Sequence, residues 1–280
     1  MIRNKYLYLL IILITSCTSL SKSKSPSYCS FHENSTYPGG LINYSLNTER
    51  KYLEKNLRVK DLEFSICKEL GSPKSLLIPI HLTFEEDRVS IFFSDQLISS
   101  IDIESRDYSE SRITISNQDF VSPPNAMLER IKEEYSQSIS AKNVFNLKKN
   151  TSKEMIIPLE GIMSSEYGVK RFINEQPRNR HIGLDIAAAE GRPIFAPLNG
   201  KVILAGNFFY KGNVIFIDHG NGLVSSYSHL SKKLVDLNQI VTAGDNIGLV
   251  GSTGRVTGPH LHWEVYFLGI PINPEIFIKN

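Results

Sequence analysis

Two histidines stand one residue apart in GPHLHWEV, which runs from Gly258 to Val265 in a chain with seven histidines in all. Successive side chains on a strand alternate between faces, so His260 and His262 share one face about 7 Å apart, while Leu261 and Trp263 face the other way. A pair so placed can act on one small object from one side. Upstream, RHIGLDIAA carries His181 and Asp185 four residues apart with a glycine between them, and YSHL carries His229. A catalytic zinc site takes about three protein nitrogen or oxygen donors and keeps a further position open for water or substrate. Five candidates exceed three. The surplus points to a division between metal ligands and groups that handle protons or developing charge, work that suits imidazole because it titrates near neutrality. Spacing alone does not say which residue takes which role. The other histidines read as ordinary: His32 as exposed and polar, His81 as strand surface, and His219 as a turn residue beside glycine.

The elements that must position these side chains are short. From MIIPLEG onward, glycine and proline punctuate the chain at APLNG, DHGNG, TAGDNIG and GSTG, and between them lie KVILAG, NVIFID, LVSSYSHL and LHWEVYF. Short apolar runs closed by tight turns predict a compact, mostly antiparallel β domain over residues 151–280, with a hairpin around GNG and no long helix. Upstream, SLLIPIHLTF, RVSIFFS and SRITIS read as strands of a smaller β-rich domain. NAMLERIKEEYSQSISAKNVF then shifts to a helical period. It predicts a helix near 125–145 with Asn125 as N-cap and Leu128, Ile131, Tyr135 and Ile139 on its apolar face. NLKKNTSKE reads as a polar linker, so a domain boundary is expected near residue 150, giving domains 41–150 and 151–280. The expected class is mainly β.

With 280 residues, 41% of them hydrophobic, the chain can bury more than one core, and a net charge of +2 gives no nucleic-acid footprint. MIRNK followed by YLYLLIILITS has the form of a signal peptide, its apolar run being short for a bilayer span. It ends in LITSC at Cys17 and resembles a bacterial lipobox, which implies a signal over residues 1–16, cleavage before Cys17 and a lipid-anchored protein in the cell envelope. The resemblance places it at the outer membrane, facing the periplasm, in a cell with two membranes. An ordinary secretory signal with a chance cysteine is the other reading. TSLSKSKSPS fits a Ser/Lys tether within residues 17–40. Cys29 and Cys67 remain as an even pair in a chain sent to an oxidising compartment, where a Cys29–Cys67 disulfide is permitted.

Three blocks, RHIGLDIAAAEGRPIFAPLNGKVILAG, GNVIFIDHGNGLVSSYSHL and GSTGRVTGPHLHWEV, resemble in order the signature blocks of lysostaphin-type zinc metallopeptidases, which cut peptide bonds in bacterial peptidoglycan. The resemblance covers about residues 155–278. It implies a β-sheet peptidase domain of the duplicated hybrid motif kind and one Zn2+ per chain. Carried over residue by residue, it makes His181, Asp185 and His262 the metal ligands and His229 and His260 the catalytic residues. Trp263 departs from the pattern, since phenylalanine is commoner there, and a change of packing is expected. The segment before the blocks resembles the N-terminal domain often found ahead of such peptidases. No H-E-x-x-H helix is present, so imidazole must replace the glutamate base of that class.

These features imply a peptidoglycan endopeptidase, with a non-catalytic wall-binding or hydrolase-regulating lipoprotein as the competing reading. GSTGRVTG lacks the GxxxxGK[ST] pattern of a phosphate loop and reads as a turn leading into the last strand. Arg255 lies in that turn. Its guanidinium reads as solvated surface charge, with contact to a substrate carboxylate as the alternative.

Overall fold

The computed structural model describes residues 34–45, 56–59, 62–65, 75–93, 96–146 and 154–278. The signal segment, His32, the lipid site at Cys17 and the Cys29–Cys67 pair lie outside the described residues. The chain divides into two compact units, 1–106 and 107–280. In the first, β1 (Leu41–Ser45) pairs with β4 (Ser75–Pro79). A four-stranded antiparallel sheet has the order β3 (Leu62–Ser65), β2 (Asn56–Val59), β5 (Arg88–Phe93), β6 (Gln96–Asp102). Val89 and Ile91 are buried while Ser90 and Phe92 are half-buried, the alternation that RVSIFFS predicts. His81 is exposed just after β4, where Thr83 Oγ1 meets its Nδ1 at 2.8 Å.

The second unit begins with β7 (Glu110–Ile113), a 3-10 turn at Gln118–Phe120 and helix α1 (Asn125–Lys142). Strands β8 (Ile162–Ser165), β9 (Lys170–Ile173), β10 (Gln176–Pro177), β11 (Leu184–Ala187) and β12 (Pro193–Phe195) follow. The long strands come next: β13 (Gly200–Phe208), β14 (Gly212–Gly220) and β15 (Leu223–Leu230). Then come β16 (Lys232–Lys233), β17 (Ile240–Val241), β18 (Asn246–Leu249), β19 (His260–Phe267) and β20 (Ile270–Ile272). The main sheet is antiparallel in the order β17-β13-β14-β15-β19-β11-β8, and β20 pairs with β19. The β14–β15 hairpin turns at Asn221 and Gly222, both with positive φ, as GNG requires.

β14 reads as a nearly continuous apolar run because both its faces are covered. On one face Phe208, Val214, Phe216, Val224 and Tyr266 pack with Ala141 of α1. On the other lie Ile215, Ile217, Tyr227, Trp263 and Val265, all fully buried, with Gly248 of β18 against Ile215 and Leu230. Trp263 is therefore a packing residue, as expected. His219 departs from the expected turn position: it is buried in β14, with Nδ1 at 3.0 Å from the Asn199 carbonyl and Nε2 at 2.7 Å from Ser225 Oγ.

Three expectations about the helix and the linker after it are corrected. The division falls at 106/107 rather than near 150, because β7 pairs in parallel with β9 and α1 packs on the main sheet. Arg130 Nη2 donates to the Asn207 carbonyl at 3.0 Å, and Glu134 Oε2 accepts the Phe209 N–H at 2.7 Å. The helix turns only part of the expected face inward. Ile131 and Ile139 are half-buried, as are Glu134 and Ser138, and Ala141 is buried, but Leu128 and Tyr135 are exposed. Two polar anchors at the β13 end, Arg130 and Glu134, tie the helix to the sheet beside the apolar residues. Pro124, not Asn125, occupies the N-cap, with no side-chain capping bond.

These contacts predict that a fragment of residues 107–280 unfolds in one cooperative transition. A fragment of 151–280, lacking β7 and α1, should melt lower by about 5 °C or more, as removal of a kcal/mol or two of packing implies. Equal melting temperatures by calorimetry would contradict the assignment of α1 to this unit.

Candidate metal centre

Alternation along β19 sorts HLHWEVYF into two faces. Leu261, Trp263 and Val265 enter the core, while His260, His262, Glu264 and Tyr266 project on the side where α1 packs. Antiparallel pairing with β11 sets Asp185 opposite His262 and Ala187 opposite His260, and pairing with β15 sets Ser228 opposite His262. Directly opposed residues on one face are within reach of each other. His181 lies just before β11, where backbone bonds clamp it: its N–H donates to the Val169 carbonyl at 2.9 Å and its carbonyl accepts the Gly168 N–H at 2.7 Å. The glycine of HIGLD is a close-approach position, since a Cβ at Gly183 would collide with the Trp263 carbonyl.

His229 arrives by a different device. The β14–β15 register shifts between Asn213 and Ile215, and His229 takes φ 68° in the left-handed region. A bulge re-aims a side chain that a regular strand would point elsewhere, and histidine tolerates this backbone better than most residues. Two carbonyls hold it there: the His229 N–H donates to the Lys211 carbonyl and its Nδ1–H to that of Thr253, both at 2.8 Å. A side chain at Gly212 (φ 59°) would collide with Thr253.

Three of the five residues converge on one point. His181 Nε2 lies 3.0 Å from Asp185 Oδ1 and 3.0 Å from His262 Nδ1, and His262 Nδ1 lies 2.7 Å from Asp185 Oδ1. All three residues are buried and together form a group that could hold a metal ion. Hydrogen bonds on the far side of each imidazole fix its tautomer. His181 Nδ1–H donates to the Glu166 carbonyl at 2.6 Å, leaving a lone pair on Nε2. His262 Nε2–H donates to Glu264 Oε1 at 3.1 Å, leaving the Nδ1 lone pair inward. The convergent atoms are then two imidazole nitrogens and a carboxylate oxygen, a set that a shared metal ion reconciles. Zinc ligated at about 2.0–2.1 Å in a tetrahedron places donors about 3.3 Å apart, roughly 0.3–0.6 Å wider than the separations here. The donor set fits one zinc ion.

Electrostatics mark this point as one that draws positive charge, whether a proton or a metal ion. Burial pushes the His181 pKa down to about 4, so it is neutral at pH 7 and able to ligate. Burial works to raise the Asp185 pKa, but the hydrogen bonds and charges of His181 and His262 outweigh it and hold the carboxyl far below the usual range. Burial alone would lower the His262 pKa; the charges of Glu264 and Asp185 overcome it and raise the value. His229 and His260 sit at the margin, their rings 4.9 Å apart between centroids, with His229 5.9 Å from the His262 ring. His260 Nδ1–H donates to the Gly258 carbonyl at 2.8 Å, and its Nε2 is 3.8 Å from Asp185 Oδ1. Burial lowers the pKa of both, which keeps them neutral with the lone pair on Nε2.

Three contributors escape a reading of motifs. Arg171 on β9 bonds Asp185 Oδ2, so this carboxylate is held by one oxygen and offers the other inward. Nothing in the sequence marks it, because the approach of β9 to β11 is a matter of topology. Glu264 fixes the His262 tautomer and is itself held by Lys211 Nζ at 2.5 Å and by Ser226 Oγ. Burial would raise the Glu264 pKa, but Lys211 and then His262 hold it well below its ordinary value. Period-two alternation does place Glu264 on the histidine face, a signal that strand reading alone can recover.

The profile of Peptidase family M23 matches residues 179–274. Peptidoglycan DD-endopeptidase ShyA of Vibrio cholerae is 47% identical over 93 residues, 33% of this chain and 22% of that protein. DD-carboxypeptidase/endopeptidase Mpg of Neisseria meningitidis is 39% identical over 112 residues, 40% of this chain and 26% of that protein. The chain thus spans about a quarter of the length of these curated relatives. A solved Pseudomonas aeruginosa structure, whose description assigns it to peptidase M23, aligns with a TM-score of 0.65 at 28% identity, covering 87% of this chain and 95% of that one. The ordered motif blocks, the antiparallel sheet that carries them and these likenesses agree that residues 179–274 are a peptidase family M23 domain.

Proposed function

We propose that this chain is a zinc-dependent endopeptidase acting on cross-link or stem peptides of peptidoglycan, anchored in the cell envelope by lipid on Cys17. The observation that carries the reading is the convergence of His181 Nε2, Asp185 Oδ1 and His262 Nδ1, with His229 and His260 beside them. Likeness to proteins named as peptidoglycan DD-endopeptidases favours the wall as substrate. His181, Asp185 and His262 hold the metal, and a zinc ion bound there supplies an acidified water and a Lewis acid for the scissile carbonyl.

The protein's own residues do the rest. With Nδ1–H of His229 given to Thr253 and that of His260 to Gly258, each imidazole acts through Nε2. One of these atoms accepts the proton of the attacking water. Once protonated, it donates to the oxyanion of the tetrahedral centre and then returns the proton to the leaving amine. The wall-binding, non-catalytic alternative makes no use of two basic imidazoles beside a metal site. These five residues do not set which peptide bond is cut; a bond between D-alanine and a diamino acid is the first expectation for a cell with an outer membrane, and a glycine bridge the second.

The reading is tested by measuring bound zinc and then incubating the protein with purified sacculi. Alanine at His181, Asp185 or His262 should remove the metal and the activity together. Alanine at His229 or His260 should keep the metal and lower turnover by about 10²–10⁴-fold, the usual worth of a general base. Bound zinc with no released muropeptides under any condition contradicts the enzyme reading. Separately, Glu264→Gln should weaken zinc affinity about 10–100-fold by chelator competition, as loss of a carboxylate behind a ligating histidine does elsewhere. Unchanged affinity would show that the His262 tautomer does not depend on Glu264.

A further inference from the structure

We propose that Arg255, with Arg178 behind it and Tyr210 beneath it, forms a subsite that binds a free carboxylate of the substrate peptide next to the scissile bond. The proposal rests on the peptidase reading and narrows its substrate class to anionic peptides.

Arg255 is tied to the segment that holds a catalytic histidine. Its backbone N–H donates to the Tyr210 carbonyl at 3.0 Å, and its guanidinium lies 4.5 Å from the centroid of the Tyr210 ring. Tyr210 precedes Lys211, whose carbonyl accepts the His229 N–H, and Arg255 follows Thr253, whose carbonyl accepts the His229 Nδ1–H. The same two strands of chain therefore carry both His229 and the Arg255–Tyr210 pair. The stacked ring fixes the plane of a side chain that would otherwise sweep through many rotamers.

Arg178 brings a second positive charge to bear on Arg255. Its N–H donates to the Arg171 carbonyl at 2.8 Å, next to the side chain that holds Asp185. Its Nη2 donates to the Val121 carbonyl at 3.0 Å and to Gln176 Oε1 at 2.8 Å, both uncharged acceptors, and its buried Nε has no hydrogen-bond partner among the described residues. Phe120, next to Val121, packs at a tilt against Phe209, and Phe209 meets Tyr210 edge to face, so aromatic contacts connect Arg178 round to Arg255. Burial lowers the Arg255 pKa, the Tyr210 phenol opposes this, and the positive charges of Arg178 and Arg171 add to it. Of these three arginines only Arg171 has a carboxylate partner among the described residues. Half-buried like charges gathered without an anion repel one another. A planar carboxylate on the guanidinium fork relieves that repulsion through paired hydrogen bonds, where a neutral amide does not.

The test compares two cross-linked stem peptides, identical except that the carboxylate beside the scissile bond is free in one and amidated in the other. The zinc-loaded full chain should favour the free acid roughly tenfold in kcat/KM, the worth of one charge-assisted hydrogen bond, chiefly through KM. Arg255→Met should shrink that ratio towards one with zinc content and melting temperature unchanged, and Arg255→Lys should restore part of it. Equal turnover of both peptides by the unaltered protein, or a ratio that survives Arg255→Met, overturns the subsite. Hydrolysis of neither peptide counts against the peptidase reading; equilibrium binding of the same pair then decides the subsite, with Arg255-dependent preference supporting it and equal affinity overturning it.

Discussion

A carboxylate buried in a protein interior is neutralised unless opposite charge and hydrogen bonds surround it, and the centre of this domain depends on keeping Asp185 ionised. Its two oxygens are divided. Arg171 takes Oδ2, while Oδ1 meets His181 and His262. The division makes the residue directional, because one oxygen is fixed in a strand-to-strand tie and the other is presented to the imidazoles. The pairing of β11 with β19 supplies the rest, by placing Asp185 directly across from His262. A slip of one residue would turn Asp185 to the other face and dismantle the cluster, which is why two flanking strands and a glycine at 183 hold the register.

A second layer of charge stands behind the first. Half-buried Lys211 and buried Ser226 hold the buried Glu264, which fixes the His262 ring. A buried ion pair is weak support for stability, since desolvation consumes much of its Coulomb attraction. Its value here is orientation. The same economy explains the backbone of His229, whose left-handed conformation costs about 1 kcal/mol or more and persists because Lys211 and Thr253 both grip the residue. Lys211 thus serves twice, through its side chain toward Glu264 and through its carbonyl toward His229.

Much of this was legible in the sequence. The five residues follow from motif blocks and from period-two alternation on one strand, and the fold class follows from short apolar runs between glycines. Arg171 was not legible, because its meaning arises from a strand that approaches β11 only in three dimensions. The helix is legible in span but only partly in face: Ile131 and Ile139 turn inward, while Leu128 and Tyr135 stay exposed because the anchors Arg130 and Glu134 reach the backbone at Asn207 and Phe209. The boundary near 150 failed for the same reason: a polar linker separates the helix from the peptidase blocks along the chain but not in space. His219 looked like a turn residue beside glycine, and only the buried Ser225 across the hairpin reveals it as a core polar group.

The claim beneath all of this is that the three donors share one metal ion. Anomalous diffraction from crystals of the zinc-loaded protein, recorded on both sides of the zinc edge, tests it directly. The account predicts a single zinc peak bonded by His181 Nε2, Asp185 Oδ1 and His262 Nδ1 at about 2.0–2.1 Å, with no other protein donor. A peak placed elsewhere, a fourth permanent protein ligand such as His260, or no peak from protein known to be loaded would contradict it.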